Sequence, residues 1–291
     1  MRDLKSLLPS PSEHASFVHC PTAWWYRYRA GIRAVAGAAR MESGTAASMA
    51  LEAYYRNLDP LTAYRGHMQK AMEKVEVLDI ADWEIQMGLD IAALEFYLTK
   101  HEPMEAAWKA ILDCQGRIED QVNLVPDMVV ELMNGMVRPI EFKMLSPFAD
   151  IEYEKKTYEM GMQPISYAKM CEVKYEKVCN SCEMRWLVRP KPAKGRYHSA
   201  PASYESHIIW VEPWKKKMWE AAANFANAGM EYVDYIANKE GVEVAEIPKF
   251  THNCIKKLGS MTIQCDYYPA CSENMNPMQV VGGFVQKEGK K

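Results

Sequence analysis

The chain has 291 residues, of which 48% are hydrophobic and 25% charged, and a net charge of −3. That size allows one large domain or two small ones, and the composition predicts a folded core, not a disordered or fibrous chain. The charge excludes a uniformly basic nucleic-acid binder while allowing a local basic groove, and no apolar run reaches the length of a membrane span.

Residues 1–15 read as a loose leader, since Pro9 and Pro11 interrupt any helix there. The opening MRDLKSLLPSPSEH lacks an apolar signal region, so a cytoplasmic protein is expected. Its eight cysteines are then expected to be reduced, serving as metal ligands or core. The 20 methionines read as adaptable core filling. From Ser16 to Arg33 the chain is aromatic-rich, with a short helix predicted from Pro21-Thr22. Gly44 to Tyr55 reads as a second helix, and residues 62–78 and 82–112 carry helical periodicity.

The pattern then changes. Gly116 to Val122, Asp127 to Leu132 and Val137 to Phe142 are short β-prone runs, and Asn134-Gly135 between the last two signals a hairpin. Residues 152–178 return to helix, and 183–190 and 206–212 read as strands. Residues 213–239 form a helix opened by Pro213. The tail from Pro248 reads as irregular. This order predicts an α/β (α+β) fold with a mixed central sheet flanked by helices. It divides into a helical part over 1–112, a core over 113–247 and a cysteine-bearing tail over 248–291, packed as one unit.

The chemistry concentrates after Pro126-Asp127. Fourteen residues beyond Asp127 comes Glu141-Phe142-Lys143, and Gln163 and Tyr167 follow, four residues apart. Alternate residues of a strand share a face, so Glu141 and Lys143 point the same way, with Asp127 in reach across the hairpin. Two carboxylates and the Phe142 carbonyl are hard oxygen ligands suited to Mg²⁺ or Mn²⁺. Such an ion lowers the pKa of a bound water and neutralises a scissile phosphate, while Lys143 orients that water or stabilises developing charge. Gln163 and Tyr167 share one helix face and can hold phosphate or base. The bland alternative is a solvated strand face.

Pro126-Asp127, Glu141-Phe142-Lys143 and Gln163-Pro164-Ile165-Ser166-Tyr167 together resemble the PD-(D/E)XK nucleases of the RecB-like exonuclease branch. Ser16-Phe17-Val18-His19-Cys20-Pro21 resembles that branch's N-terminal Cys-Pro box, and Gly44-Thr45-Ala46-Ala47-Ser48 its G-T-x-x-H helix. The resemblance runs from Ser16 to Cys271. It implies a restriction-endonuclease-like core and a Mg²⁺- or Mn²⁺-dependent DNA exonuclease acting in recombination, repair, phage DNA metabolism or CRISPR spacer processing. Asp127 and Glu141 would bind the metal, Lys143 would assist the water, and Gln163 and Tyr167 would position the strand. The sequence departs from the pattern at Ser48, where the family histidine stands. A hydroxyl is a poorer transition-metal ligand, which keeps a catalytically silent DNA-binding or assembly subunit open as the alternative. Glu119 is a further candidate acid.

Cys254, Cys265 and Cys271 are spaced C-x10-C-x5-C in a polar tail, and Cys20 supplies a fourth thiol. Four thiolates suit Zn²⁺ or an iron–sulfur cluster; the resemblance, to the AddB type and the related CRISPR adaptation nucleases, implies [4Fe–4S]. A zinc-stapled interaction protein is the third reading. Cys179-x2-Cys182, with Cys171 nearby, has the spacing of half a zinc site but reads first as a turn, and Cys114 reads as core. Arg189, Lys191, Lys194 and Arg196, with Lys215, Lys216 and Lys217, are candidate phosphate contacts. Trp24, Trp25, Tyr26 and Tyr28 read first as core and second as a base-stacking platform. The expected partner is DNA, as a single strand or duplex end. No G-x-x-x-x-G-K-[ST] motor motif is present, so unwinding would come from a helicase, recombinase or single-strand-binding partner.

Overall fold

The structure, a computed structural model, describes residues 9–34, 38–73, 80–119, 123–159, 161–191, 199–238, 255–258, 261–264 and 284–286. In chain order its elements begin with α1 (Pro11–His19), α2 (Pro21–Trp24), a π-helical turn over Trp25–Arg29, β1 (Ile32–Ala34), α3 (Ala38–Tyr55), α4 (Pro60–Met72) and α5 (Ile80–Lys100). Then come β2 (Trp108–Cys114), β3 (Ile118–Glu119), β4 (Asn123–Leu124), β5 (Met128–Leu132) and β6 (Val137–Leu145). The remainder is α6 (Ile151–Glu159), α7 (Met162–Tyr175), β7 (Ser181–Val188), β8 (Ser203–Trp210), α8 (Pro213–Asn238), β9 (Ile255–Leu258), β10 (Met261–Gln264) and β11 (Phe284–Gln286).

Two compact units result. One comprises Met1–Gly37, Gln121–Asn123 and Met218–Lys291, the other Ala38–Asp120 and Leu124–Lys217. In the first, the expected loose leader is in part a helix. Ser10 Oγ accepts from the Glu13 N–H and the Glu13 carboxylate accepts from the Ser10 N–H, a capping box that starts α1. Pro11 sits at the first helical position, where its missing N–H costs nothing, so it opens a helix instead of interrupting one. The aromatic segment is core, as its primary reading holds. Trp24 is fully buried, its ring meets Phe17 edge-to-face at 5.2 Å, and Met230 and Val233 of α8 pack against the pair. Arg29 lies over the Trp24 ring at 4.5 Å and ion-pairs with Glu13 and Asp234. A Cβ on Gly229 would come within 2.7 Å of the Phe17 ring, so a larger residue there would make that ring shift. The tail is less irregular than expected: β9 pairs with β10, and β1 with β11, both antiparallel.

The second unit is built on a five-stranded sheet in the order β2-β5-β6-β7-β8. Only β6 and β7 run parallel, so the sheet is mixed and flanked by helices, the expected class. The β5–β6 hairpin forms at Asn134-Gly135 as expected: Gly135 takes φ +80° and its N–H bonds to the Leu132 carbonyl at 2.9 Å. A parallel neighbour demands a crossover, which α6 and α7 supply between β6 and β7. Phe142, Val130 and Ile140 pack with Tyr55, Tyr64, Leu94 and Tyr97 of α3–α5 in one core on one face. α7 packs against β6 and β7, and α6 against β8.

Two predicted spans are corrected. The helix expected to residue 112 ends at Lys100, two residues before Glu102-Pro103, and Trp108–Cys114 pairs antiparallel with β5 across two register shifts. Tertiary pairing there overrides local periodicity. Of the run 116–122, residues 116–119 are described, and Ile118–Glu119 there form the short strand β3. The single helix expected over 152–178 is two helices, α6 and α7, with Gly161 capping the second.

Candidate active site

Asp127 stands one residue before β5. The β5–β6 register pairs Met128 with Ile140, so the next step brings Asp127 opposite Glu141. Two donors fix the Asp127 carboxylate. The Phe142 N–H reaches Oδ2 at 2.8 Å and Gln115 Nε2 reaches Oδ1 at 2.6 Å. Gln115 adopts φ +57°, a left-handed conformation that is uncommon outside glycine, and its N–H also bonds to the Asp127 carbonyl at 3.0 Å. Its role was not read from the sequence. Its only local signal is its place before Gly116 at the end of β2, a position tight enough that a Cβ on Gly116 would overlap Asp113.

Glu141 is buried in the middle of β6. Its Oε1 accepts from Lys143 Nζ and, at 2.9 Å, from Gln163 Nε2. The same Gln163 nitrogen lies 2.8 Å from the Tyr167 hydroxyl, so the four-residue spacing on α7 brings both side chains to the carboxylate. Ser166 Oγ donates to the Gln163 carbonyl at 2.7 Å and ties that turn of the helix. All five residues expected to form the site thus converge, from the β4–β5 connection, β6 and α7. Burial, reinforced by the Asp127 charge, pushes the Glu141 carboxyl up to about 7, against the opposing pull of Lys143. Burial alone would lower the Lys143 ammonium, but Glu141, Tyr158 and Asp127 outweigh it and hold the amine protonated above the ordinary lysine range. Tyr158 of α6 is a second neighbour the sequence did not single out.

A cleft of about 320 Å³ opens beside this cluster, lined by Glu141, Phe142, Lys143 and Met144 of β6, by Leu187, and by Gly44, Thr45, Ala47, Ser48 and Leu51 of α3. Ser48 of α3 thus lines the same cleft as Glu141 and Lys143. A buried polar network fixes the start of this stretch. Ser43 Oγ and Tyr64 OH donate to Asp90 Oδ2, Gln86 and Arg189 donate to Oδ1, and Arg189 Nη2 reaches Ser43 Oγ at 3.0 Å.

The donor set suits a hard cation. Among the described residues Glu141 Oε2 is buried with no hydrogen-bond partner, which is costly for a carboxylate unless an ion or water meets it. Among the described residues no three His, Cys, Asp or Glu side chains group to hold a metal. An ion at Asp127 and Glu141 would therefore draw its other ligands from backbone, water and substrate, the habit of Mg²⁺.

Several candidates go elsewhere. Arg189 and Lys216 are buried in ion pairs with Asp90 and Glu172, so both cations are already partnered within the chain. Lys215 pairs with Glu212, and Lys191 lies over the Phe148 ring at 5.0 Å. Lys194 and Arg196 lie outside the described residues. Cys171, Cys179 and Cys182 are fully buried. The hydrogen bond to Cys179 and burial hold the Cys171 thiol well above the ordinary range, and burial does the same at Cys182, so Cys171 and Cys182 are protonated core thiols. Cys114 is buried as expected. Cys20 is buried at the joint of α1 and α2; Cys254, Cys265 and Cys271 lie outside the described residues, as does the Glu119 side chain. Among the described residues no helix is long and apolar enough to cross a membrane.

No protein-family model and no curated protein matches the chain. Among solved structures it is similar to a phage related exonuclease from Haemophilus somnus 129PT, with 15% identity and a TM-score of 0.32 over 51% of this chain and 68% of that one. It is also similar to an alkaline exonuclease (LHK-Exo) from Laribacter hongkongensis, with 11% identity and a TM-score of 0.29 over 68% of this chain and 96% of that one. Likenesses this distant leave the functional reading to the residues of the site.

Proposed function

We propose that the chain is a metal-dependent deoxyribonuclease of the RecB-like PD-(D/E)XK type that hydrolyses phosphodiester bonds from DNA ends. The observation that carries the reading is the convergence of Asp127, Glu141, Lys143, Gln163 and Tyr167 around a buried carboxylate oxygen without a partner, beside an open cleft. Asp127, Glu141 and the Phe142 carbonyl would hold Mg²⁺ or Mn²⁺. When bound, that ion supplies a more acidic water and neutralises phosphate charge.

The chain's own groups do the rest. Lys143 stays protonated at neutral pH and presents its ammonium at the cleft, where it orients the attacking water and offsets charge developing on the phosphoryl oxygens. Gln163 holds Glu141 by one oxygen and leaves the other for the ion. Tyr167 fixes Gln163 in turn.

The reading extends to Cys20, Cys254, Cys265 and Cys271 as ligands of a [4Fe–4S] cluster. Its supports are the resemblance and the placement of Cys20 in the first unit, to which the described tail strands β9, β10 and β11 also belong. A brown protein with about four iron atoms per chain is the expected result; a colourless, zinc-bearing protein would replace the cluster with a zinc staple.

The second reading, a silent DNA-binding subunit, is favoured by Ser48 at the cleft in place of the family histidine. Release of nucleotides from DNA with Mg²⁺ or Mn²⁺, abolished by chelator and by Glu141→Gln, is the outcome expected of the enzyme. DNA binding without release, in wild type with either ion, selects the silent subunit.

A further inference from the structure

Helix α8 carries two seams of apolar residues at coiled-coil spacing, on opposite faces. One, through Trp219, Ala223, Ala226, Met230 and Val233, is buried. The other advances by alternating steps of four and three residues, from Trp214 to Met218, Ala221, Phe225, Ala228, Tyr232 and Tyr235, and every one of these residues is exposed. Phe225 is 77% exposed, Met218 63% and Tyr232 61%. Scattered exposed hydrophobics are ordinary, but a continuous stripe is not. This one spans about 32 Å at 1.5 Å per residue. Its repeat of 3.5 residues is the spacing at which one helix seats its side chains into another.

We propose that this stripe pairs antiparallel with the same stripe of a second copy of the chain, forming a two-fold dimer. The register is self-complementary about Phe225. With Phe225 facing its own copy, Ala221 meets Ala228, Met218 meets Tyr232, and Trp214 meets Tyr235. Small residues then flank the two central rings, and bulky residues close both ends. A two-fold interface requires this kind of self-complementarity.

Charge sets the direction. Lys215, Lys216 and Asp234 already have partners in Glu212, Glu172 and Arg29. Lys217 and Glu231 flank the stripe, exposed, and among the described residues neither forms a salt bridge. In the antiparallel register each Lys217 faces the partner's Glu231, giving two symmetric pairs. In a parallel register Lys217 flanks Ala222 and Glu231 flanks Ile236, so neither charge is answered. The dimer does not depend on nuclease activity.

The test is sedimentation velocity of the full chain over a concentration series, with Phe225→Asp, Lys217→Glu, Glu231→Lys and the double charge exchange. The wild type is expected to approach twice the chain mass of 33.3 kDa. Phe225→Asp is expected to raise the dissociation constant roughly 30-fold or more, as for a central interface residue. Each single charge change weakens the dimer, and the double exchange restores it. Should Phe225→Asp fail to fold, the charge series decides alone.

A wild type that is monomeric at every concentration overturns the proposal. So does a dimer indifferent to Phe225→Asp, or a double exchange that restores nothing. A monomer whose stripe is protected from hydrogen exchange at all dilutions shows that the chain's own residues cover it, and a monomer whose Trp214 fluorescence is quenched by DNA makes the stripe a strand-stacking face; both overturn the dimer.

Discussion

Gln163 donates a 2.9 Å hydrogen bond to Glu141, from a residue separated by 22 positions in sequence, and the same amide nitrogen lies 2.8 Å from the Tyr167 hydroxyl. The pair joins α7 to β6 and leaves one Glu141 oxygen without a donor. Gln163 is thus a positioning residue for the carboxylate, whatever else it does for the strand. Gln163→Ala should lower metal affinity or turnover by about 10- to 100-fold, as loss of a ligand's orienting partner does. Its effect on unfolding should stay near 1 kcal/mol, about that of one hydrogen bond. Isothermal titration with Mn²⁺ and a denaturation curve check the two parts separately.

The Glu141 carboxyl, raised to about 7 mainly by burial, ties stability to pH in the metal-free protein. An unfolded glutamate titrates near ~4.3. The folded state therefore binds the proton more tightly, and this group's contribution is fully present below the unfolded value. It is lost as pH rises through about 7. In chelator, the wild type should lose stability between about pH 5 and about pH 8 relative to Glu141→Gln, whose amide cannot ionise. Parallel profiles for the two proteins would contradict the burial argument.

Asp90 and Arg189 lie in one buried network with Ser43, one residue before the stretch of α3 that lines the cleft. Removing one member strands the other. Asp90→Ala should cost about 3–5 kcal/mol. The paired replacement Asp90→Leu with Arg189→Met should be less destabilised than either single change. If Arg189 contacted DNA, its loss would alter the salt dependence of binding and leave stability alone. Chemical denaturation of the four proteins separates the two roles.

Ser48→His would place an imidazole at the cleft where the hydroxyl now stands. Imidazole suits transition metals better than a hydroxyl does. The variant should bind Mn²⁺ more tightly with little change for Mg²⁺, read as a lower midpoint in Mn²⁺ titrations followed by thermal shift. An unchanged Mn²⁺ midpoint would mean that Ser48 stands too far from the ion to matter.

The fold class, a mixed sheet flanked by helices, was legible in the sequence, and so was the meeting of the five candidate residues. Asp127, Glu141 and Lys143 were readable because strand periodicity and the Asn134-Gly135 hairpin place them on one spot by local rules alone. Gln163 and Tyr167 were readable from helical spacing. What escaped depends on contacts distant in sequence. β2 is a strand because β5 accepts it, in spite of a helix-compatible pattern. Gln115 orients Asp127 through a left-handed backbone whose one local signal is its place before Gly116. Arg189 looked like a surface cation because Asp90, its partner, lies 99 residues away in sequence. Pro11 was misjudged for a local reason: proline opens helices as readily as it interrupts them, and Ser10 with Glu13 was the deciding signal.

The central claim is hydrolysis from DNA ends by the Asp127–Glu141–Lys143 site, and an assay on end-labelled linear and covalently closed circular DNA tests it most directly. Single- and double-stranded forms would be digested with Mg²⁺ or Mn²⁺, with Lys143→Ala alongside at equal purity and metal content. The account predicts that linear DNA is degraded, that closed circles survive, and that Lys143→Ala loses the activity while keeping the wild-type fold. Cleavage of closed circles would contradict action from ends. Absence of cleavage under every condition, or full activity in Lys143→Ala, would contradict the site itself.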